Sequence, residues 1–240
     1  MNIAAIIHTL NAEEFLFPCL DSIGDIPVYI FDQGSTDDTE DIAQARANVS
    51  LFRKCPLFTT GEADCRNRAL EIVSHRKFFT HFLRIDADEI LTDGWLDMVA
   101  DLERTQTFDC LTVDYWQITD RPIMSQVGNP IERRGLIYKL SVRPRYESRP
   151  GKNWHCGIVG PKDTLHVTDP ALIHLGYATK NLAAKWMANI DRGDYSDRDD
   201  VNNQLRESMS KNPRAHLHNR GPVPSELLDR SKYLTTLAHE

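Results

Sequence analysis

The strongest constraint on the fold is an alternation of short apolar, β-rich runs with helical stretches through the first hundred residues. The runs at Ile3 to Ile7, Val28 to Phe31, Val49 to Phe52 and Phe78 to Ile85 read as strands. Between the first two, Phe15, Leu16, Cys19, Leu20 and Ile23 recur at helical spacing. Pro18 sets the start of that helix near Phe17, because proline is tolerated only in a first turn. Ser35, with Asp38 three residues on, resembles a capping-box start for a helix running to about Asn48. Further helices are predicted over Asp64 to Ser74 and Trp95 to Arg104. Strands alternating with helices imply an α/β fold with a mostly parallel central sheet flanked by helices.

Beyond Cys110 the pattern changes. Strand-like pieces (Cys110 to Trp116, Leu136 to Val142, Ala171 to His174) stand among long loops rich in Pro, Gly and Arg, and such loops usually carry function. Asn181 to Lys211 reads as a polar amphipathic helical region, Pro213 to Pro224 breaks it, and Ser225 to His239 reads as a short C-terminal helix. The expected organisation is an α/β half over residues 1–108, a second half of the same domain over 109–180 and a helical extension over 181–240. No internal repeat, low-complexity tract or linker to a second domain stands out.

At 240 residues the chain can bury a full apolar core without disulfide or metal staples. No apolar run approaches the ~20 residues of a membrane span. The start, Met1-Asn2-Ile3-Ala4-Ala5, lacks the basic flank and cleavage site of a signal peptide. A soluble, cytoplasmic protein is the expectation. Cys19, Cys55, Cys65, Cys110 and Cys156 are odd in number and contain no C-x-x-C pair, so neither a disulfide framework nor a thiolate zinc site is suggested. The net charge of -7 argues weakly against bulk nucleic-acid binding, but it is uneven. Glu132 to Lys152 holds seven bases and two acids, a local +5 that leaves -12 elsewhere.

Three segments carry candidate chemistry. In Phe82-Leu83-Arg84-Ile85-Asp86-Ala87-Asp88-Glu89, an apolar strand ends in two aspartates that alternation sends to the same side, at the sheet edge where open α/β sheets bind ligands. Two converging carboxylates suit Mg²⁺ or Mn²⁺, which can hold diphosphate oxygens. The plainer reading is a solvated acidic turn ahead of Trp95. An EF-hand is excluded, because Ile90 and Leu91 stand where a ligand and the turn glycine belong. In the second segment, Asp32 ends a strand beside Gly34 and can accept hydrogen bonds from a base or ribose, while Asp37 and Asp38 serve the helix start. In the third, Gly61 to Leu70, Arg66 is either an exposed helical arginine or turned towards a nucleotide held by Asp32.

Asn11 after the first strand, Asp32-Gln33-Gly34-Ser35-Thr36-Asp37-Asp38-Thr39, Cys65-Arg66-Asn67-Arg68-Ala69 and Ile85-Asp86-Ala87-Asp88-Glu89 occur in the order and approximate spacing of family 2 glycosyltransferases. The chain resembles the nucleotide-sugar half of that family over roughly residues 3 to 100. The resemblance implies the GT-A fold and an inverting, metal-dependent (Mn²⁺ or Mg²⁺) transfer of a hexose or pentose from a nucleoside-diphosphate sugar, most often a UDP-sugar. By position it implies Thr9 and Asn11 beside the nucleotide, Asp32 on the base or ribose, and Arg66 lining the nucleotide site. It also implies Asp86 at the ribose or a metal-bound water, and Asp88 on the metal. His174, in Leu172-Ile173-His174-Leu175-Gly176, resembles the family's further metal ligand.

Inversion needs a base beside the acceptor hydroxyl. The family commonly supplies a carboxylate near a His-Glu or Glu-Asp pair, whereas this chain reads Asn153-Trp154-His155-Cys156-Gly157, with no acid until Asp163. The candidates are His155 first, then Asp114 and Glu147. The basic segment 133–152 falls on the expected acceptor side. It is either a solvated loop face or the dock for an anionic acceptor, such as a glycolipid, a lipopolysaccharide core or a modified nucleic acid. Two other readings remain. A non-catalytic sugar-nucleotide binder would keep these motifs and lack the base. A haloacid-dehalogenase-type phosphatase would place its Asp-x-Asp after the first strand, whereas here two strand-helix units precede it and Glu89-Ile90 replaces the usual Thr or Val at its end.

Overall fold

The computed structural model describes residues 1–55, 61–118, 124–126, 132–148, 156–176, 203, 207, 220–222 and 228–234. In chain order the elements are β1 (Ile3–Thr9), α1 (Leu16–Ile23), β2 (Val28–Asp32), α2 (Thr39–Gln44), β3 (Val49–Lys54), α3 (Glu62–Ser74), β4 (His81–Arg84), β5 (Glu89–Leu91) and α4 (Trp95–Thr105). There follow β6 (Cys110–Gln117), β7 (Met124–Gln126), β8 (Glu132–Lys139), β9 (Arg145–Glu147), β10 (Gly157–Val159), β11 (Thr164–His174) and β12 (Arg220–Pro222). The chain divides into two compact units, Met1–Trp116 with Pro130–His174, and Gln117–Asn129 with Leu175–Glu240. In the second, β12 pairs antiparallel with β7.

The first unit is built on an eight-stranded sheet in the order β3-β2-β1-β4-β8-β6-β11-β5. Strands β3, β2, β1 and β4 run parallel, so their carboxyl ends share one edge. Strand β8 is antiparallel to β4 and β6, and β5 is antiparallel to β11. β1 lies inside the parallel part, and all seven of its residues are buried, as expected of a strand covered on both faces. Ile3, Ala5 and Ile7 pack with Leu16, Leu20 and Ile23 of α1 and Val99 of α4. Ala4 and Ile6 pack with Ala69, Leu70 and Val73 of α3 and with Phe82 and Tyr138. Each large apolar side chain buried in these layers contributes roughly 1.5–3 kcal/mol.

The predicted strands and helices of the first hundred residues all form, with shifted bounds. α2 starts at Thr39, because Ser35 is engaged elsewhere, donating to Asp32 Oδ1 at 2.5 Å and accepting from Asn11 N at 2.8 Å. Asp37 organises the helix start instead, its Oδ1 accepting from Thr39 N at 3.1 Å and Thr39 Oγ1 at 2.6 Å. β4 begins only at His81, since Phe79 N closes a turn on Arg76 O and Phe78 is 69% exposed. β8 ends at Lys139, and Leu140–Val142 is a 3-10 turn closed by Arg143 at φ 53. β11 starts at Thr164, ahead of the expected Ala171. The helical region expected over Asn181 to Lys211 lies outside the described residues, apart from Asn203 and Glu207. Within the predicted C-terminal helix, Lys232 to Leu234 are helical. Among the described residues no helix is long and apolar enough to cross a membrane.

Among the polar side chains buried in these layers is that of His8. His8 is 7% exposed and stacks on Phe31 at 5.6 Å, and neither ring nitrogen has a hydrogen-bond partner among the described residues. Burial, reinforced by the charges of Arg66 and Arg84 and opposed by Asp86, holds its pKa well below the ordinary value. The unfolded chain takes up this proton near pH 6.5 and the folded protein does so only lower. The stability due to neutral His8 is therefore complete above about pH 6.5 and is lost as pH falls towards the folded value. His8→Phe should lose less thermal stability than the native chain between pH 8 and pH 5.5, and melting temperatures across that range check this.

Candidate active site

The carboxyl ends of β1 and β2 are stitched together by the residues singled out from the sequence. Thr9 lies opposite Asp32 in the parallel register, and its carbonyl accepts Gln33 N at 2.9 Å. Asp32 is 1% exposed; its Oδ2 accepts from Gly34 N and Ser35 N, each at 3.0 Å. Gly34 takes φ 105, a conformation that favours glycine. Asn11 adopts φ 49, which asparagine tolerates, and its Oδ1 accepts Thr36 N at 2.9 Å. Asp32 and Asn11 thus shape the two strand-end loops themselves, on one edge with Thr9.

Arg66 comes from α3. Its Nε donates to Glu62 Oε1 at 2.7 Å, one helical turn back, and its Nη2 donates to Asp86 Oδ1 at 3.2 Å. The guanidinium also lies 5.7 Å from the Tyr146 ring centroid. Arg66 is not the exposed helical arginine of the plainer sequence reading, since it is 9% exposed. The second oxygen of Asp86 is held by Arg134 of β8, at 2.5 Å. Burial alone would raise the pKa of Asp86, but Arg66 and Arg134 hold it well below the usual carboxylate range. Glu89 completes the cluster: its Oε1 meets Arg134 Nη1 at 2.6 Å and its Oε2 accepts Asp86 N at 2.8 Å. Burial pushes the Glu89 carboxyl up, against the pull of Arg134.

Asp88 and His174 come together. Strand β11 ends at His174, opposite Glu89 in the antiparallel register with β5, and His174 Nε2 stands 3.2 Å from Asp88 Oδ2. Their side chains are 14% and 26% exposed respectively, and the His174 ring lies 5.8 Å from Tyr115. Among the described residues no group of three or more His, Cys, Asp or Glu converges as metal donors; Asp88 and His174 form a pair.

The candidate bases are placed differently. Asp114 and Tyr115 are adjacent in β6 and leave it on opposite faces. Tyr115 reaches His174, while Asp114 Oδ1 meets His166 Nε2 at 3.2 Å. Tyr146 is fixed to α3, its N–H donating to Asn67 Oδ1 at 2.8 Å, and Glu147 beside it is exposed and paired with Arg145. His155 lies outside the described residues; its neighbour Cys156 donates N–H to Glu62 Oε2 at 3.4 Å. In the basic segment, Arg133, Arg143 and Arg145 are exposed, whereas Arg134 is internal and paired with Asp86 and Glu89. Arg149 and Lys152 lie outside the described residues.

Sequence reasoning missed Arg134, Glu89 and Glu62. The four-residue spacing of Glu62 and Arg66 was a usable signal. Arg134 stands 48 residues from Asp86 and had none.

Three comparisons bear on this architecture. The family model described as glycosyl transferase family 2 matches residues 4–158. No curated protein matches in sequence. Among solved structures, S. aureus TarS superposes with a TM-score of 0.54 at 14% identity, over 91% of this chain and 44% of that one. This chain therefore spans less than half of that protein's length. S. aureus TarS 1-349 in complex with UDP gives a TM-score of 0.53 at 15% identity, over 90% and 74%. The same fragment in complex with UDP-GlcNAc gives 0.52 at 15%, over 90% and 73%. The mixed α/β architecture is that of the GT-A type, as the motif resemblance implied. With more than half its length matched by the family model, the chain belongs to glycosyl transferase family 2.

Proposed function

We propose that the protein is an inverting glycosyltransferase that uses a UDP-sugar and a divalent cation, Mn²⁺ or Mg²⁺. The observation that carries this is the 3.2 Å approach of His174, at the end of β11, to Asp88, in the turn between β4 and β5. One carboxylate and one imidazole fit a cation that must leave most of its coordination positions to diphosphate oxygens and water. Asp88 and His174 would hold the ion, which supplies charge stabilisation to the departing diphosphate. Thr9, Asn11 and Asp32 would frame the nucleotide, as the edge they share suits a base and ribose. Arg66 supports the same site by fixing Asp86. The choice of UDP is supported by TarS, whose fragment is solved with UDP and with UDP-GlcNAc. The sugar itself stays open, hexose or pentose.

In the transfer, the acceptor oxygen bonds to the anomeric carbon as the bond to the diphosphate breaks with its electron pair. The acceptor's proton passes to a base on the opposite side. We assign the base to His155. Asp114 is engaged with His166, and Glu147 is turned outward from Tyr146. The backbone of Cys156, next in the chain, is tied to Glu62, the partner of Arg66. Arg133, exposed in β8, and Arg143, exposed between β8 and β9, suit an anionic acceptor such as a phosphorylated glycolipid. Residues 1–108 would then form the donor half, 109–180 the acceptor half and 181–240 an extension. In the cytoplasm this chemistry has its nucleotide-sugar donors at hand.

Three outcomes are expected. With a panel of UDP-, GDP- and dTDP-sugars, nucleotide release should need Mn²⁺ or Mg²⁺ and favour a UDP-sugar, and Asp88→Ala should abolish it; full activity in Asp88→Ala, or no metal-dependent release with any donor, would sink the assignment. His155→Ala should lower kcat by about 10²–10⁴ with the dissociation constant for UDP unchanged, read by steady-state kinetics and calorimetry. Transfer to the acceptor should weaken as salt rises from 50 to 200 mM, and Arg133→Ala with Arg143→Ala should flatten that dependence while sparing donor hydrolysis.

A further inference from the structure

Arg134 belongs to the basic stretch that the sequence suggested for the acceptor, yet its guanidinium is turned inward. Its two terminal nitrogens reach different acids, Nη2 to Asp86 Oδ2 at 2.5 Å and Nη1 to Glu89 Oε1 at 2.6 Å. Its Cζ lies 4.8 Å from the Tyr115 ring centroid, and Tyr115 in turn lies against His174. The side chain is 15% exposed, and its partner Glu89 1%. Arg66 takes the other oxygen of Asp86 at 3.2 Å. Both oxygens of the first aspartate are therefore engaged by guanidinium groups, while the second aspartate, Asp88, meets His174.

We propose that Arg134 is a positioning residue that keeps Asp86 out of the cation's coordination shell and leaves the ion to Asp88 and His174. This rests on the metal reading given above and deepens it. A carboxylate doubly bonded by guanidinium groups has little negative charge left to offer a second cation, and the fork of an arginine fixes it more firmly than a lysine would. Arg134 also puts a permanent positive charge beside the ion and weakens its binding. A weak resident site suits an ion that must arrive and leave with a diphosphate. The role of Arg134 in this scheme is selective: it lowers metal affinity and favours turnover.

The test is Mn²⁺ affinity, followed by the electron paramagnetic resonance signal of free Mn²⁺, with the full chain alone and with UDP. Arg134→Met should bind Mn²⁺ about tenfold or more tightly than the native protein, because Asp86 becomes available and a positive charge is gone. Arg134→Lys should fall between the two, and adding Asp86→Asn to Arg134→Met should remove the gain. Arg134→Met binding no more tightly, with native circular dichroism, would overturn the proposal. If Arg134→Met does not fold, Arg134→Lys decides by the same criterion, tighter binding supporting it and equal binding rejecting it. No Mn²⁺ binding by the native protein even with UDP would reject the metal reading and this proposal together. Native binding that is lost in Asp88→Ala but unchanged in Arg134→Met would keep the first and reject only the second.

Discussion

The double clamp on Asp86 is the interaction on which the rest of the site depends. A carboxylate at the tip of β4 is held by Arg66 from α3 and by Arg134 from β8, and Arg134 extends to Glu89 at the start of β5. Charges held partly out of water are costly unless each is matched, and removing one partner leaves another uncompensated. The cluster sets two arginines against three acids, so that each guanidinium meets two carboxylates, Arg66 those of Glu62 and Asp86 and Arg134 those of Asp86 and Glu89. It also ties α3, β8 and β5 to the end of β4, which fixes the direction in which the chain leaves β4 towards Asp88.

That direction matters because of the topology around it. Three of the parallel strands, β1, β2 and β4, deliver Thr9, Asp32 and Asp86 to one edge, and the antiparallel pairing of β11 with β5 brings His174 to Asp88. The loops at that edge are fixed by their own polar groups. Asn11 and Asp32 each hold backbone N–H groups of the loop that follows β2, so the residues that frame the nucleotide in our reading also build the frame. A single substitution there would alter loop geometry and ligand contact together.

Much of this was legible. The apolar runs and the Pro18 signal located β1 to β4 and the helices between them, because a strand buried on both faces must be continuously apolar. The Asp-x-Asp pair at the end of β4 and the strand ending in His174 were also visible, since their residue types and order carry the signal. Boundaries were less so. Ser35 has the composition of a helix cap but bonds Asp32, a choice made by the approach of β1 and β2 rather than by local propensity. Asp114 and Glu147 looked equivalent to other acids, and only strand alternation separated their faces from those of Tyr115 and Tyr146.

The sequence by itself determined the layer order, the parallel half of the sheet and the chemical inventory at its edge, because periodicity and motif spacing are local properties. Only the tertiary structure decided which charges meet. Arg134 reads in sequence as one base among seven in a solvated stretch. Antiparallel pairing of β8 with β4 and β6 turns it into the fixed partner of Asp86 and Glu89, and the same kind of long-range pairing brings His174 to Asp88. An ion pair across 48 residues of chain leaves no trace in spacing, since its distance is set by strand register.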